Sequence, residues 1–164
     1  MLPEDPHCIY AWHRISDRIT TSGRLVAADI DELAAIGVAH VIDLAAPEHE
    51  WALPDEEHRL AAFGIGYTRI LVPFNAPTDE QYTQFVAALE NGPTPVHLHC
   101  IYNFRASAFL FRYHLQTGMP EAEAADFLLP IWSPEASEHP AAQAWKKFIQ
   151  NSRLTIDPAV RVAA

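Results

Sequence analysis

The segment that most constrains the fold is a short apolar stretch, Pro95–His99, followed by a tight loop and a long apolar run, Arg105–Thr117. The first stretch has the length of a buried strand, and the second has the length of a helix. A helix this apolar must be mostly buried. Because parallel sheets bind ligands at the carboxyl ends of their strands, we expect residues 100–104 to lie at such a site.

Strands and helices alternate along the rest of the chain. The pattern predicts strands at 9–15, 18–20, 40–44 and 67–72, and helices at 29–36, 54–63, 78–91, 121–129 and 140–151. Thr78 and Gln81 form a capping-box pattern at the start of one helix. The alternation predicts an α/β, three-layer fold with a central, mostly parallel sheet flanked by helices. We expect one domain over 1–164, with a core at about 9–151 and loosely patterned tails.

The charge of the chain argues against several classes of partner. The formal net charge is −10 and lysine and arginine form no cluster, which argues against nucleic acid and an anionic membrane surface. No apolar run approaches the ~20 residues of a spanning helix, and the N-terminus lacks the pattern of a secretion signal. We therefore expect a cytoplasmic protein with Cys8 and Cys100 as free thiols.

Cys100 and Arg105 give the loop its chemistry. The backbone N–H groups that open the predicted helix lack intrahelical acceptors, so they attract an anion. The guanidinium of Arg105 is a planar fork that suits two oxygens of one oxyanion. The same field favours the thiolate of Cys100, which is its nucleophilic form. The alternative is an inert buried thiol.

The segment His99-Cys100, four residues, Arg105, Ala106, Ser107 resembles the signature loop of the cysteine-dependent tyrosine and dual-specificity phosphatases. That loop has five residues between cysteine and arginine, so the present loop is one residue shorter. It is more similar to a bacterial branch related to the phosphatase-like domain of beta-lactamase-hydrolase-like proteins, whose loop often reads His-Cys-x-x-Asn-x-Arg-x-Ser. The similarity covers about residues 9–133, including the segments 21–24, 35–38, 41–44, 72–74 and 77–78.

The resemblance implies a phosphate-monoester hydrolase with the cysteine-phosphatase fold. By this resemblance, Cys100 attacks phosphorus and forms a phosphocysteine, which water then cleaves. Arg105 holds the equatorial oxygens in the transition state. Ser107 donates to the cysteine sulfur, although it also suits the first turn of a helix. The expected partner is a phosphorylated protein or small molecule, and the oligomeric state stays open.

The other loop residues are expected to bind the substrate. His99 holds the loop by hydrogen bonds and helps to keep the cysteine ionised. Asn103 stands where glycine is usual, and asparagine tolerates a positive φ better than other non-glycine residues. Tyr102 and Phe104 either line the mouth of the pocket or pack beneath it. The backbone N–H groups that cradle phosphate are those of Ile101, Tyr102, Asn103, Phe104 and Arg105.

A general acid for the leaving group is expected on the loop after the strand that ends near Val72. The resemblance places an aspartate there, but Asn75 or Ala76 stands at that position. The nearest carboxylate is Asp79, followed by Glu80, and both also suit the first turn of a helix, where acids offset the dipole. Without an acid, only substrates with good leaving groups turn over readily.

No metal or other cofactor is expected. His97 and His99 share one face of a strand, but no further ligand at recognisable spacing completes a metal site. The four tryptophans are expected in the core. An acidic run is expected to be a solvated surface; it comprises Glu48, Glu50, Asp55, Glu56 and Glu57.

Two other functions fit the same loop. Rhodanese-like sulfurtransferases also use a Cys-x4-Arg loop, although the His99–Cys100 pair and the upstream similarity are unlike them. A catalytically silent module that binds phosphorylated partners fits the short loop and the missing acid. Turnover of thiosulfate and cyanide identifies the first, and anion binding without hydrolysis identifies the second.

Overall fold

The computed structural model describes residues 2–154, with side chains through Ser152. Most of the predicted C-terminal tail therefore lies outside the described residues. The strands are β1 (His13–Arg14), β2 (Ile19–Ser22), β3 (His40–Asp43), β4 (Gly66–Arg69) and β5 (Val96–His99). The helices are α1 (Ala27–Ala35), α2 (Glu56–Ala61), α3 (Asp79–Asn91), α4 (Phe104–Gln116), α5 (Glu121–Leu128) and α6 (Ala142–Leu154).

The strands form one sheet in the order β1-β2-β5-β3-β4. β2, β5, β3 and β4 run parallel, and β1 is antiparallel to β2. This arrangement confirms the predicted α/β class with a mostly parallel sheet. β5 is central, and its last residue, His99, is in register with Ser22 of β2 and Asp43 of β3. The carboxyl ends of three strands therefore meet directly before Cys100.

Successive side chains along each strand point to opposite faces of the sheet and so contribute to two separate apolar layers. Val41 packs with α1 and α2, whereas its neighbour Ile42 packs on the opposite face with α3 to α6. In β5, Val96 and Leu98 join the larger layer, so the histidines between and after them face the α1 and α2 side. The sheet and its two helical layers confirm the predicted three-layer architecture.

The helices largely begin and end as predicted. The capping box of α3 is present, because the Thr78 hydroxyl accepts from the Gln81 N–H at 3.2 Å and the Gln81 side chain accepts from the Thr78 N–H at 2.9 Å. The helix α4 is mostly buried, as its composition predicts. Among the helices of residues 2–154, none combines the length and apolar character that a membrane span needs.

Two elements are shorter than predicted, and each begins after a single left-handed residue. The strand predicted at 9–15 is reduced to β1, because Ala11 has a φ of 51°, which an extended chain does not contain. The helix predicted at 54–63 is reduced to α2, because Asp55 has a φ of 55°. Neither alanine nor aspartate is marked by its sequence context as a left-handed residue.

Candidate active site at the Cys100 loop

Cys100 lies at the junction between β5 and α4, at the carboxyl edge of the sheet. Asn103 precedes α4 in the left-handed conformation that its residue type allows, with a φ of 66°. The N–H of Ser107 donates to the carbonyl of Asn103 at 3.0 Å. The N–H groups of residues 104–106 therefore have no acceptor within the helix, and they are the donors that an anion meets.

Neighbouring segments hold the loop from outside. The side-chain amide of Asn103 donates to the carbonyl of Ala11 and to the hydroxyl of Thr21, both at 3.0 Å. The carbonyl of Ile101 accepts from the N–H of Arg24 at 2.8 Å. These bonds join the loop to the chain before, within and after β2, so its geometry depends on these segments.

Arg105 is buried in the first turn of α4. Its Nη1 donates to the carbonyl of Val72 at 2.8 Å, and its guanidinium carbon lies 6.0 Å from the ring centroid of Phe74. These contacts orient the guanidinium from the loop after β4. The bond to Val72 uses one of the five N–H donors of the group. The structure therefore brings Cys100 and Arg105 to one loop–helix junction.

Two tryptophans fix the surroundings of this arginine. The indole N–H of Trp145 donates to the carbonyl of Phe74 at 2.7 Å. The indole N–H of Trp132 donates to the carbonyl of Phe104 at 3.0 Å, and their rings stack with centroids 4.8 Å apart. Both tryptophans are buried, as predicted. Phe104 is half-buried against Trp132, whereas Tyr102 is 40% exposed at the rim of the loop.

His99 lies beneath the loop between two carboxylates. Its Nε2 donates to Oε1 of Glu56 at 2.7 Å and lies 3.8 Å from Oδ1 of Asp43, and its Nδ1 lies 3.3 Å from the carbonyl oxygen of Cys100. Burial lowers the pKa of His99, but the two carboxylates outweigh burial and raise that pKa to about 9. The ring is then an imidazolium at neutral pH, and both of its nitrogens donate. Negative charge on Cys100 is a further, smaller cause that raises the pKa of His99.

Asp43 is held in its charged form by the positive charge of His99 and by hydrogen bonds from Ala45, Tyr67 and Arg69. Burial raises the pKa of Asp43, but His99, Ala45, Tyr67 and Arg69 together bring it below its usual value. Oδ2 accepts from the Tyr67 hydroxyl at 2.7 Å and from Nη2 of Arg69 at 3.1 Å, and Oδ1 accepts from the Ala45 N–H at 2.8 Å. The buried negative charges beneath the loop are therefore balanced by cations.

The roles of Glu56 and Asp43 are not predicted from the sequence. The expectation that Glu56 is solvated is wrong, because its residue is 4% exposed. It begins α2 four residues before the buried Leu60, and residues so spaced share one face of a helix. That spacing is the sequence signal that identifies Glu56 as an inward-facing acid.

The same three side chains have the geometry of a small cation site. The ligand atoms of Asp43, Glu56 and His99 all lie within 4.8 Å of one another. The ring of His99, whose pKa is raised to about 9, supplies the positive charge between the carboxylates, and a metal ion would bind here only by displacing that proton. The arrangement acts as a buried ion-pair network that sets the charge beneath Cys100.

His97 shares the face of His99, as predicted, but it is neutral. Its Nδ1 and Nε2 form hydrogen bonds with the hydroxyls of Thr20 at 2.9 Å and Ser22 at 2.8 Å. Burial, followed by the charge of His99, holds the pKa of His97 well below its usual value. Both nitrogens are satisfied, so His97 is a core residue.

The structure does not bring Asp79 to the loop. As the first residue of α3, it accepts a hydrogen bond from Nη1 of Arg112 at 2.7 Å. Arg112 lies seven residues after Arg105 on α4, which is about two helical turns. The Asp79 side chain is 67% exposed. Its position suits the alternative role, in which an acid in the first turn offsets the helix dipole.

Ser107 lies inside the first turns of α4 and is buried. Its hydroxyl donates to the carbonyl of Phe104 at 3.2 Å. The alternative of a capping role is wrong, because Asn103 occupies the capping position. Donation from Ser107 to the sulfur of a phosphocysteine stays a prediction.

No protein-family model and no curated protein matches the chain. Solved structures do match it. Two crystal structures of a candidate phosphatase of the DUF442 group from Shewanella putrefaciens CN-32 are 26% and 28% identical, with TM-scores of 0.76 and 0.75. Each match covers 88% of this chain, and 89% and 93% of the other.

More distant structures share the same fold. A mutant form of Tk-PTP is 20% identical with a TM-score of 0.68, over 88% of this chain and 98% of the other. TpbA from P. aeruginosa in complex with pTyr is 17% identical with a TM-score of 0.64, over 89% of this chain and 90% of the other. The chain has the fold of the cysteine-dependent phosphatase-like proteins, as the resemblance of its loop predicted.

Proposed function

We propose that this protein is a cysteine-dependent phosphate-monoester hydrolase of the tyrosine-phosphatase-like kind. The observation that carries the proposal is the loop, in which a buried cysteine and a buried arginine share one junction with the open N–H groups of α4. This combination suits a four-oxygen anion next to the sulfur. The phosphatase neighbours support the class, and the pTyr complex of TpbA supports a phosphorylated substrate.

The proposed reaction has two displacement steps. The thiolate of Cys100 attacks phosphorus, an S–P bond forms, and the bond to the leaving-group oxygen breaks. Arg105 and the N–H groups of the loop hold the other three oxygens as their charge redistributes. A water molecule then attacks phosphorus, the S–P bond breaks, and phosphate leaves with the thiolate restored. The imidazolium of His99 stabilises the negative charge on the Cys100 sulfur before the first step and again after the second.

Leaving-group protonation limits the range of substrates. Asp79 is the nearest predicted acid, but its carboxylate is bonded to Arg112. A leaving oxygen that receives no proton departs as an anion, which favours acidic phenols over alcohols. We therefore propose that aryl phosphates are turned over more readily than alkyl phosphates.

The test uses p-nitrophenyl phosphate and the two free cysteines of the chain. Cys100→Ser abolishes release of p-nitrophenol, and Cys8→Ser, at an exposed cysteine, retains it. Vanadate inhibits the wild type. Activity that survives in Cys100→Ser contradicts the proposal. Turnover of thiosulfate and cyanide in place of aryl phosphate indicates a sulfurtransferase, and phosphate binding without hydrolysis indicates a silent binding module.

A further inference from the structure

Arg24 is held by aromatic rings at the rim of the Cys100 loop. Its guanidinium carbon lies 4.1 Å from the ring centroid of Tyr10 and 4.6 Å from that of Trp51. Both rings are 44% exposed, so the expectation of a core position is wrong for Trp51. Tyr102 meets Trp51 edge-on, with centroids 5.7 Å apart. These three rings and Arg24 form what we call the Arg24 rim.

The Arg24 rim is continuous with the loop. The backbone N–H of Arg24 donates to the carbonyl of Ile101 at 2.8 Å, and Tyr102 is the next residue of that loop. Tyr10 and Tyr102 also line a groove of about 340 Å³ that extends toward Phe104. Tyr10 and Tyr102 therefore belong both to the Arg24 rim and to this groove, next to the loop that carries Cys100.

No carboxylate among the described residues forms an ion pair with the guanidinium of Arg24. Within residues 2–154, its N–H groups have no hydrogen-bond or ion-pair partner, in a chain whose formal net charge is −10. The rings restrict the guanidinium without using its N–H donors, because cation–π contacts are made through the ring faces. An arginine fixed in this way presents a planar fork that is ready for two oxygens of one anion.

We propose that Arg24 is a substrate-binding residue that recognises a second oxyanion, carried by the same molecule as the reacting phosphate. The substrate class is a phosphate monoester with an aromatic or apolar body and a carboxylate, sulfate or second phosphate. This inference rests on the proposed function, because it defines the substrate of the same site. A local cation such as Arg24 would attract the second negative charge of the substrate even though the formal net charge of the protein is −10.

The test compares matched substrates that differ only in the second charge. The first pair is 4-(carboxymethyl)phenyl phosphate and its neutral amide, and the second is a phosphotyrosine peptide with an adjacent glutamate or glutamine. Wild type has the lower KM for the acidic member of at least one pair. Arg24→Gln raises that KM about tenfold, as expected for the loss of one charge-assisted hydrogen bond. The variant leaves kcat, and the KM for the neutral substrate, nearly unchanged. The pair that responds shows whether the anion comes from a small molecule or a peptide side chain.

Arg59 provides the matched control, because it is exposed on α2 and bonds to the carbonyl of Pro54. Arg59→Gln leaves all KM values unchanged. Equal effects of Arg24→Gln on acidic and neutral members of both pairs overturn the proposal. If the wild type hydrolyses none of these esters, the proposed hydrolase function fails, and the role of Arg24 is tested by binding alone. Calorimetric binding of 4-(carboxymethyl)phenyl phosphate to Cys100→Ser, with and without Arg24→Gln, then decides the role of Arg24 by itself.

Discussion

Glu56 and His99 form a buried ion pair, with Oε1 and Nε2 2.7 Å apart and side chains that are 3% and 4% exposed. The pair joins α2 to the last residue of β5, directly before Cys100. Asp43 adds a second carboxylate from β3. The protonation state beneath Cys100 is therefore set by three separate elements of the fold rather than by the loop alone.

We expect Glu56→Gln to reduce kcat/KM most strongly at alkaline pH. Loss of one carboxylate lowers the pKa of His99 from about 9, so the imidazolium is lost at a lower pH. The alkaline limb of the kcat/KM profile for p-nitrophenyl phosphate then moves to lower pH. Glu57→Gln is the matched control, since Glu57 is the exposed neighbour. An unshifted profile in Glu56→Gln would show that His99 does not act through its charge.

The His99 pair predicts a fall in stability between neutral and alkaline pH. The folded-state pKa of His99, about 9, lies above the unfolded value near 6.5, so its stabilisation is complete below pH ~6.5 and is lost as pH rises through 9. The expected slope is about 1.4 kcal/mol per pH unit. Urea unfolding of the wild type and of His99→Asn measures this slope. The difference between their free energies of unfolding should shrink from pH 6.5 to 9. A constant difference over this range would count against an imidazolium.

We expect Asn103→Ala to destabilise the protein more than Asn103→Gly does. Both variants lose the hydrogen bonds to Ala11 and Thr21. The left-handed φ of 66° is also less favourable for alanine than for glycine, by about 1–2 kcal/mol. Denaturant unfolding measures this difference. Equal stabilities of the two variants would mean that the loop relaxes out of the left-handed conformation.

Asp79→Asn distinguishes a helix-terminus role from a general acid. We expect kcat for phenyl phosphate to fall less than tenfold, because Asp79 is bonded to Arg112. Loss of a general acid would instead lower kcat by about 10²–10⁴ for this poor leaving group and spare p-nitrophenyl phosphate. Glu80→Gln is the control at the adjacent position. A selective loss with phenyl phosphate would restore the acid role that the sequence predicts.

Features that depend on local chemistry could be predicted from the sequence. The capping box at Thr78 and the positive φ of Asn103 follow from residue types at fixed positions. The parallel sheet follows from alternating strands and helices, and the burial of α4 follows from its composition. The family resemblance of the loop added the phosphatase fold, which the solved structures bear out.

Features that depend on distant contacts could not be predicted. The spacing of Glu56 and Leu60 indicates an inward-facing acid, but its bond to His99 depends on the fold bringing the start of α2 to the end of β5. Asp43 reaches His99 because β3 pairs in register with β5, and strand order is not encoded locally. Arg24 meets Trp51 through a turn whose shape no short motif specifies. Such contacts decide the electrostatics of the site more than the loop sequence does.

The stacked pair of Trp132 and Phe104 makes the intrinsic fluorescence of Trp132 a probe of the start of α4. The indole is buried 4.8 Å from the first residue of α4, and its N–H is bonded to the carbonyl of that residue. We expect a shift of the helix start on capture of an oxyanion to change the polarity and quenching around Trp132. Vanadate titrations can therefore be followed by intrinsic emission, without a chromogenic substrate, even in variants that turn nothing over.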